Sequence, residues 1–588
     1  MVTPTTATET TEPESPGAVA DESAHRHDPT AQPDASSTDE STPKRRGGAW
    51  FHLSLPGSWV ALIFTCLAFT PSLVPRPGPF QGFVCGITAA IGYGLGVVGA
   101  FVWREFADRP ARKPRTRSWR VFLVVAALAL IVSYVLGERW QRSLRELMDA
   151  APEDLLPRLL LPVVAVLVFA ALVAAGRGVR RLFRWVARTL ARWMGRRAAR
   201  ALGWVMAAAV VVGLVSGVLV DGIIGLTDRI FAIRDTTTSD TAVQPTTSLR
   251  SGGPDSLVPW DSLGYQGRNF AGQGPTEGDI EAFWGADAQE PVRAYGGIAS
   301  APDVEDRARL AVADLERAGG FTRKYLLVCG TTGTGWVDPG AISAFEYEAG
   351  GDSAAVAIQY SYLPSWASFL VDQSRAREAG RALFDAVYEK WSELPASSRP
   401  KLLVFGLSLG SFAAESPFSG EGDLANRTDG GLLAGSPSFN LLHREFTVGR
   451  DDGSPEVQPV YRDGRTVRFS NDPSQPIPPG EAWDGSRVLY LQHASDPIVW
   501  LSPDLILNRP DWLAEPPGPD ATGDMIWIPF VTFWQVTMDM LEPVDVAPGH
   551  GHSYTLEFVD GWATVMQPPG WTAEHAAELR SIIARESG

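Results

Sequence analysis

The spacing of apolar residues changes character about two-fifths of the way along the chain. Five long apolar runs come first, near residues 59–74, 83–103, 119–137, 155–175 and 202–226. A helix needs roughly 20 apolar residues to cross about 30 Å of hydrocarbon, so these runs predict about five transmembrane helices over residues 50–234. Residues 1–49 before them are rich in Thr, Ser, Pro, Glu and Asp. They predict a disordered tail, because too little apolar surface is available to offset ordering entropy. The tail has neither the basic start nor the apolar core of a signal peptide. Residues 235–260 are rich in Thr, Ser, Gly and Pro and read as a linker. From 261 to 588 helix-like stretches at 303–318, 372–391 and 572–585 alternate with apolar strands at 325–329, 354–360, 402–405 and 488–492. That alternation predicts an α/β domain with a mostly parallel sheet covered on both faces. With its own sheet and a polar linker, the chain from about residue 245 is expected to fold alone.

Charge orients the apolar runs. Basic residues cluster before the first run (Lys44, Arg45, Arg46), after the second (Arg104 to Arg120) and after the fourth (Arg177 to Arg200). The first and third connections carry little net positive charge. Basic loops stay cytoplasmic, which predicts a cytoplasmic N-terminus and, after five spans, an extracytoplasmic domain. Between residues 177 and 200, Val179, Leu182, Phe183, Val186, Leu190, Trp193 and Met194 recur at helical spacing among arginines. This predicts a separate interfacial helix on the inner leaflet. Gly94, Gly96 and Gly99 match a G-x-G-x-x-G pattern, yet they lie inside an apolar helix with no strand before them. Close helix packing, with Gly92/Gly96 and Gly213/Gly217 as small-residue pairs, explains them better than a nucleotide.

The second half has the opposite electrostatic character. From residue 236 onward there are 24 Lys and Arg against 48 Asp and Glu. Such a field repels nucleic acid, which is excluded as a partner. Cys329 is the only cysteine of this half, so an internal disulfide is ruled out there, and no metal-type Cys/His spacing occurs. No cofactor and no metal are expected.

One segment carries a chemical signature. Gly406-Leu407-Ser408-Leu409-Gly410 is a G-x-S-x-G motif with an apolar strand before it and a helix-like stretch after it. Glycines at those positions permit a sharp strand-to-helix turn that lifts a serine hydroxyl above the sheet edge. The following helix N-terminus favours negative charge developing there. Such a nucleophile needs a carboxylate and then a histidine, each after a later strand. Asp496 follows the strand at 488–492, ahead of the weaker candidates Asp504 and Asp472. The histidine comes from Gly549-His550-Gly551-His552-Ser553-Tyr554. His552 is preferred, with His550 as the alternative, because His552-Ser553-Tyr554 resembles the catalytic loop of cutinase-like esterases. An oxyanion hole would use the N–H of Leu409 and one from the loop after the strand at 325–329, at Thr331 or Thr332. Trp336, Trp366, Trp500, Trp527 and Trp534 lie near these loops as apolar lining or as ordinary core.

Taken together, TGTGWVDP, QYSYLPSW, GLSLGS, LQHASDPIVW and GHGHSY make the chain resemble the actinobacterial alpha/beta-hydrolase family with an N-terminal membrane domain. The resemblance runs from residue 55 nearly to the end. It implies an α/β-hydrolase fold and serine hydrolase chemistry on a multi-pass cell-membrane anchor. The expected substrate is an ester, a lipidic or cell-envelope acyl compound. Two alternatives stand beside it: an envelope acyltransferase using the same three residues, and a non-catalytic transport or sensor protein with a hydrolase-like outer domain.

Overall fold

The computed structural model describes residues 53–110, 114–213, 231–364, 367–369, 373–480, 482–541 and 546–587. The 1–49 segment and the second half of the fifth apolar run lie outside these residues. Five helices open the described chain: α1 (Leu55–Leu67), α2 (Gly78–Phe106), α3 (Thr116–Leu147), α4 (Leu155–Leu190) and α5 (Arg196–Gly213). Three of them, α2, α3 and α4, are long and apolar enough to cross a membrane. The five expected runs thus correspond to five helices, three of which reach that length among the described residues. At about 1.5 Å per residue the 13 residues of α1 reach roughly 20 Å, short of a bilayer core. The helices pack closely where glycine allows: a Cβ on Gly96 would lie 2.8 Å from the Gly57 Cα of α1. Gly94 and Gly99 face open space instead.

The arginine-rich stretch after the fourth run corrects another expectation. It is no separate interfacial helix, because α4 continues through it without a break to Leu190, 36 residues in all. The prolines of α4, Pro157 and Pro162, both lie near its start, and the later residues are mostly good helix formers.

The rest of the chain builds one sheet. Its strands are β1 (Val292–Gly296), β2 (Tyr325–Gly330), β3 (Ser353–Ile358), β4 (Lys401–Leu407), β5 (Gly430–Ala434), β6 (Val467–Ser470) and β7 (Arg487–Leu491). They lie in the order β1-β3-β2-β4-β5-β7-β6, and every pairing is parallel. Along β2, Leu326 and Val328 face one layer while Tyr325, Leu327 and Cys329 face the other. The first layer holds α7 (Val304–Arg317) and α9 (Gln373–Glu393). The second holds α6 (Gly264–Gly272), α8 (Pro339–Glu348), α12 (Glu557–Met566) and α13 (Ala573–Ser587). A parallel sheet covered on both faces, with a serine at a turn after a central strand, is an α/β-hydrolase fold. Strands β1, β5 and β6 escaped the periodicity reading because they are four or five residues long and rich in Gly or Arg.

Residues 235–260 are not a free linker. Ser251 is fully buried and donates to Asp314 at 2.6 Å, and Arg250 bridges Arg293 on β1 in parallel register. Nor is the C-terminal half self-contained. Helix α11 (Val531–Leu541) lays Val531 and Met538 against Ala68, Phe69, Val84, Cys85 and Leu161 of the N-terminal helices. Leu73, from the α1–α2 connection, belongs to the main core of the sheet. Beside it, Asp539 of α11 accepts from the Leu73 N–H at 3.2 Å and from the Ser72 hydroxyl, and pairs with Arg76 at 3.2 Å. The Ala547 N–H donates to the Met148 carbonyl at the end of α3, 3.0 Å away. A chain starting near residue 245 would leave this core and this ion pair uncovered.

Candidate active site

Ser408 sits between β4 and α10 (Leu409–Glu415) with φ +59° and ψ −126°. That conformation is strained for any residue with a Cβ, and it persists only where the surroundings over-determine it. Here they do. The Ser408 N–H donates to the Ala434 carbonyl at the end of β5, 2.9 Å away, and the Ser411 hydroxyl returns to the Ser408 carbonyl at 2.6 Å. The Asn440 amide in turn donates to the Ser411 hydroxyl at 3.1 Å. The turn also needs glycine at Gly406 and Gly410. A Cβ at Gly406 would strike the Gly410 carbonyl group, and one at Gly330 would lie 2.7 Å from the Ala414 nitrogen.

That last contact brings the β2 loop against α10, so Thr331 and Thr332 stand beside the serine turn. Both are buried. The Thr332 N–H is engaged by the Trp336 carbonyl at 3.1 Å, closing the loop on itself. The Thr331 hydroxyl donates to the Ile358 carbonyl at 2.8 Å, which ties the loop to β3. Asp338 finishes the loop by capping α8 through the Ala341 N–H at 3.0 Å, with Pro339 at the first helical position. Leu409, at the start of α10, is fully buried.

The acid and one histidine meet after β7. Asp496 is fully buried, and its Oδ2 lies 2.7 Å from the His552 Nδ1. The same oxygen accepts from the Tyr554 hydroxyl at 2.7 Å, and Oδ1 accepts from the Ile498 N–H at 2.8 Å. His552 keeps 29 % of its side chain exposed, so its ring bridges the interior and the opening. It rests on Gly435, which follows β5 with φ +52°; a Cβ there would come within 2.8 Å of the His552 Nδ1. Since the Ser408 N–H bonds to Ala434, serine and imidazole both stand at the carboxyl end of β5. The alternative base, His550, makes no hydrogen bond at its buried Nδ1. The Asp504 N–H donates to the capping Ser502 hydroxyl at 3.2 Å and the Asp472 carboxylate accepts from the Ser474 N–H at 3.0 Å, and neither carboxylate bonds to an imidazole.

Several residues that hold this pair carried no separate sequence signal. The Asp520 carboxylate accepts from the Ala494 and Ser495 N–H groups at 3.1 and 2.8 Å, and from the Ser495 hydroxyl at 2.5 Å. The Ser495 hydroxyl oxygen then accepts from the Gly551 N–H at 2.7 Å, joining the acid loop to the histidine loop. His493 stacks on Tyr554 at 4.1 Å, with its Nδ1 2.8 Å from the Gly551 carbonyl. Burial pushes His493 below its ordinary pKa and pushes the Tyr554 phenol well above its own. Glu557 lies 3.9 Å from the His493 Nε2, and burial raises its carboxyl to about 7. Of these, His493, Ser495 and Tyr554 lie inside strings already singled out, but nothing marked Asp520.

The chain compares with known proteins as this geometry leads one to expect. A family profile described as "Alpha/beta-hydrolase family" matches residues 292–579, and a companion profile, "Alpha/beta-hydrolase family N-terminus", matches residues 69–275. No curated protein and no solved structure matches the chain. The two profiles cover the sheet and helices α2 to α5 in sequence order, and the chain belongs to the alpha/beta-hydrolase family.

Proposed function

We propose that the protein is a membrane-embedded serine hydrolase that cleaves carboxylic esters through Ser408, Asp496 and His552. The observation that carries this reading is the 2.7 Å Asp496–His552 hydrogen bond beside a serine in the strained conformation of a strand–helix turn. With Nδ1 bound to Asp496, the His552 Nε2 is the nitrogen left to take the Ser408 proton. The serine oxygen attacks the ester carbonyl, and the oxyanion is held by the N–H groups of Leu409 and Thr331. Collapse expels the alcohol, which receives the proton from His552, and leaves an acyl-serine. Water, deprotonated by the same imidazole, then releases the acid and regenerates Ser408. Thr332 is the weaker oxyanion donor, because its N–H is engaged by Trp336.

Membrane anchoring supports a substrate with an apolar acyl part, and the sidedness proposed is basic loops in the cytoplasm with the hydrolase domain outside. The α1–α2 and α3–α4 connections, the two poor in net positive charge, both touch the hydrolase domain, through Arg76 and Met148. With α2, α3 and α4 as crossing helices, both connections fall on one side of the membrane, the side of the domain they touch.

The test is a fluorophosphonate reagent on the full chain in detergent, followed by peptide mapping. Label is expected on Ser408 and absent from Ser408→Ala. That variant should lose about 10⁴-fold or more in turnover of a short-chain ester, and His552→Ala a similar amount, with the double variant little worse. Full activity in Ser408→Ala would end the serine hydrolase reading.

A further inference from the structure

Next to the candidate site lies a cavity of about 210 Å³ that the ester chemistry does not account for. Thr332 forms part of its wall, so it adjoins the loop placed against the serine turn. Two kinds of group line it. Phe231, Tyr265 and Trp336 present aromatic rings, while Asp235, Gln266 and Gln359 present a carboxylate and two amides, with Arg234 at the edge. The polar groups are held in place. Asp235 Oδ1 accepts from the Tyr265 N–H at 3.0 Å and from the Gln359 amide at 3.1 Å. The Arg234 guanidinium lies over the Tyr265 ring, 5.2 Å from its centre. On the loop side, the Tyr295 hydroxyl donates to the Gly335 carbonyl at 2.8 Å and fixes the wall that carries Trp336.

This lining excludes several occupants. A hydrocarbon chain would strand a carboxylate and two amides away from water, which is costly for each. A phosphate or a second carboxylate would meet Asp235, and a cation would meet Arg234. An uncharged ring bearing several hydroxyls suits every wall. Each hydroxyl both donates and accepts, so it can serve carboxylate, amide and guanidinium alike. The C–H faces of such a ring lie against the aromatic planes. The volume is below the roughly 300 Å³ at which drug-sized pockets begin, which suits one ring and not an extended ligand.

We propose that this cavity is a sugar subsite holding one hexose ring as the alcohol part of the ester. The acyl group then points to Ser408 while the sugar hydroxyls meet Asp235 and Gln266; the Gln359 amide, engaged by Asp235, Ser361 and Ile298, holds that wall in place. This assignment rests on the serine hydrolase reading and specifies its substrate class.

The experiment compares two esters of one octanoyl chain, one on glucose and one on p-nitrophenol, with the full chain in detergent. The variants are Asp235→Asn and Gln266→Ala; the second is included because Asp235 also holds the Tyr265 backbone, whereas Gln266 is half-buried on α6. The ratio of kcat/KM for the sugar ester to that for the aryl ester should fall about tenfold in each, the scale of a lost hydrogen bond to a charged or buried polar group. Fluorophosphonate labelling of Ser408 in the same preparations separates the two hypotheses. Labelling with an unchanged ratio, or with no turnover of the sugar ester, overturns the sugar subsite alone. Absence of labelling overturns the hydrolase reading and the subsite with it.

Discussion

At the scale of single residues, the candidate site is built from groups that each depend on a buried neighbour. The Asp496 carboxylate accepts from the Ile498 N–H and the Tyr554 hydroxyl besides facing His552, so its position is set before any substrate arrives. Beneath the histidine loop lies a second, quieter set: His493, Tyr554 and Glu557. Glu557 has a measurable consequence for stability. An unfolded chain releases this proton near the ordinary 4.5, whereas the fold retains it up to about 7. Between those values the folded state binds more protons, so stability falls as pH rises and the loss is complete above about 7. Glu557→Gln resembles the protonated form. The variant should therefore unfold at a higher temperature than the natural protein at pH 8, by an amount on the order of 1–3 kcal/mol, and at the same temperature near pH 4.5. Thermal unfolding in detergent at the two pH values measures this; equal stability at pH 8 would refute the burial argument.

At the scale of elements, α11 has the most unusual position. In sequence it lies between Asp496 and His552, yet it packs on the N-terminal helices and carries Asp539 to Arg76. Both partners are buried; Asp539 also accepts from Ser72 and Leu73, whereas none of the three guanidinium nitrogens of Arg76 makes a hydrogen bond, so the cation depends on Asp539. Removing one partner of a buried pair leaves a charge without its counter-ion, which typically costs about 3–5 kcal/mol. Asp539→Ala should destabilise the full chain on that scale and lower its midpoint in thermal unfolding. The double change Arg76→Met with Asp539→Leu removes both charges and should recover much of the loss. A single variant as stable as the natural protein would mean that the pair does not anchor α11. The continuation of α4 makes a related point about elements. Helical spacing in residues 177–190 was legible in the sequence, but spacing says nothing about whether a helix starts anew or carries on.

At the scale of the whole molecule, the apolar helices and the hydrolase domain form one body along shared contacts. The α1–α2 connection places Leu73 in the core of the sheet, and the end of α3 bonds to the segment leading into the histidine loop. Val74 reaches that loop too, 3.5 Å from where a Cβ on Gly551 would stand. The sidedness proposed for this body can be read with an impermeant thiol reagent on intact cells. Cysteine introduced as Asp255→Cys should react, and as Arg109→Cys should be protected. The native thiols interfere little, since Cys85 and Cys329 are buried and Cys66 is half-buried in α1. The opposite labelling pattern would put the hydrolase domain in the cytoplasm.

Much of this was decided locally and could be read without coordinates. The turn at Ser408 follows from glycines within two residues of it, the long strands from their apolar runs, and the class of the sheet from strand–helix alternation. Chain order alone singled out Asp496 and a histidine after it. Other features were not decided locally. Strands β1, β5 and β6 owe their place to pairing with longer neighbours, not to periodicity of their own. The hydrogen bond from His552 to Asp496 sets it apart from His550, two residues away in the same glycine-rich loop. Asp520 joins the acid and histidine loops through hydrogen bonds between residues that sequence gives no reason to connect. Ser72 and Asp539 meet across a separation of 467 residues. Side-chain partners of that kind are chosen by how buried donors and acceptors find one another once the core has closed, and only the tertiary structure settles them.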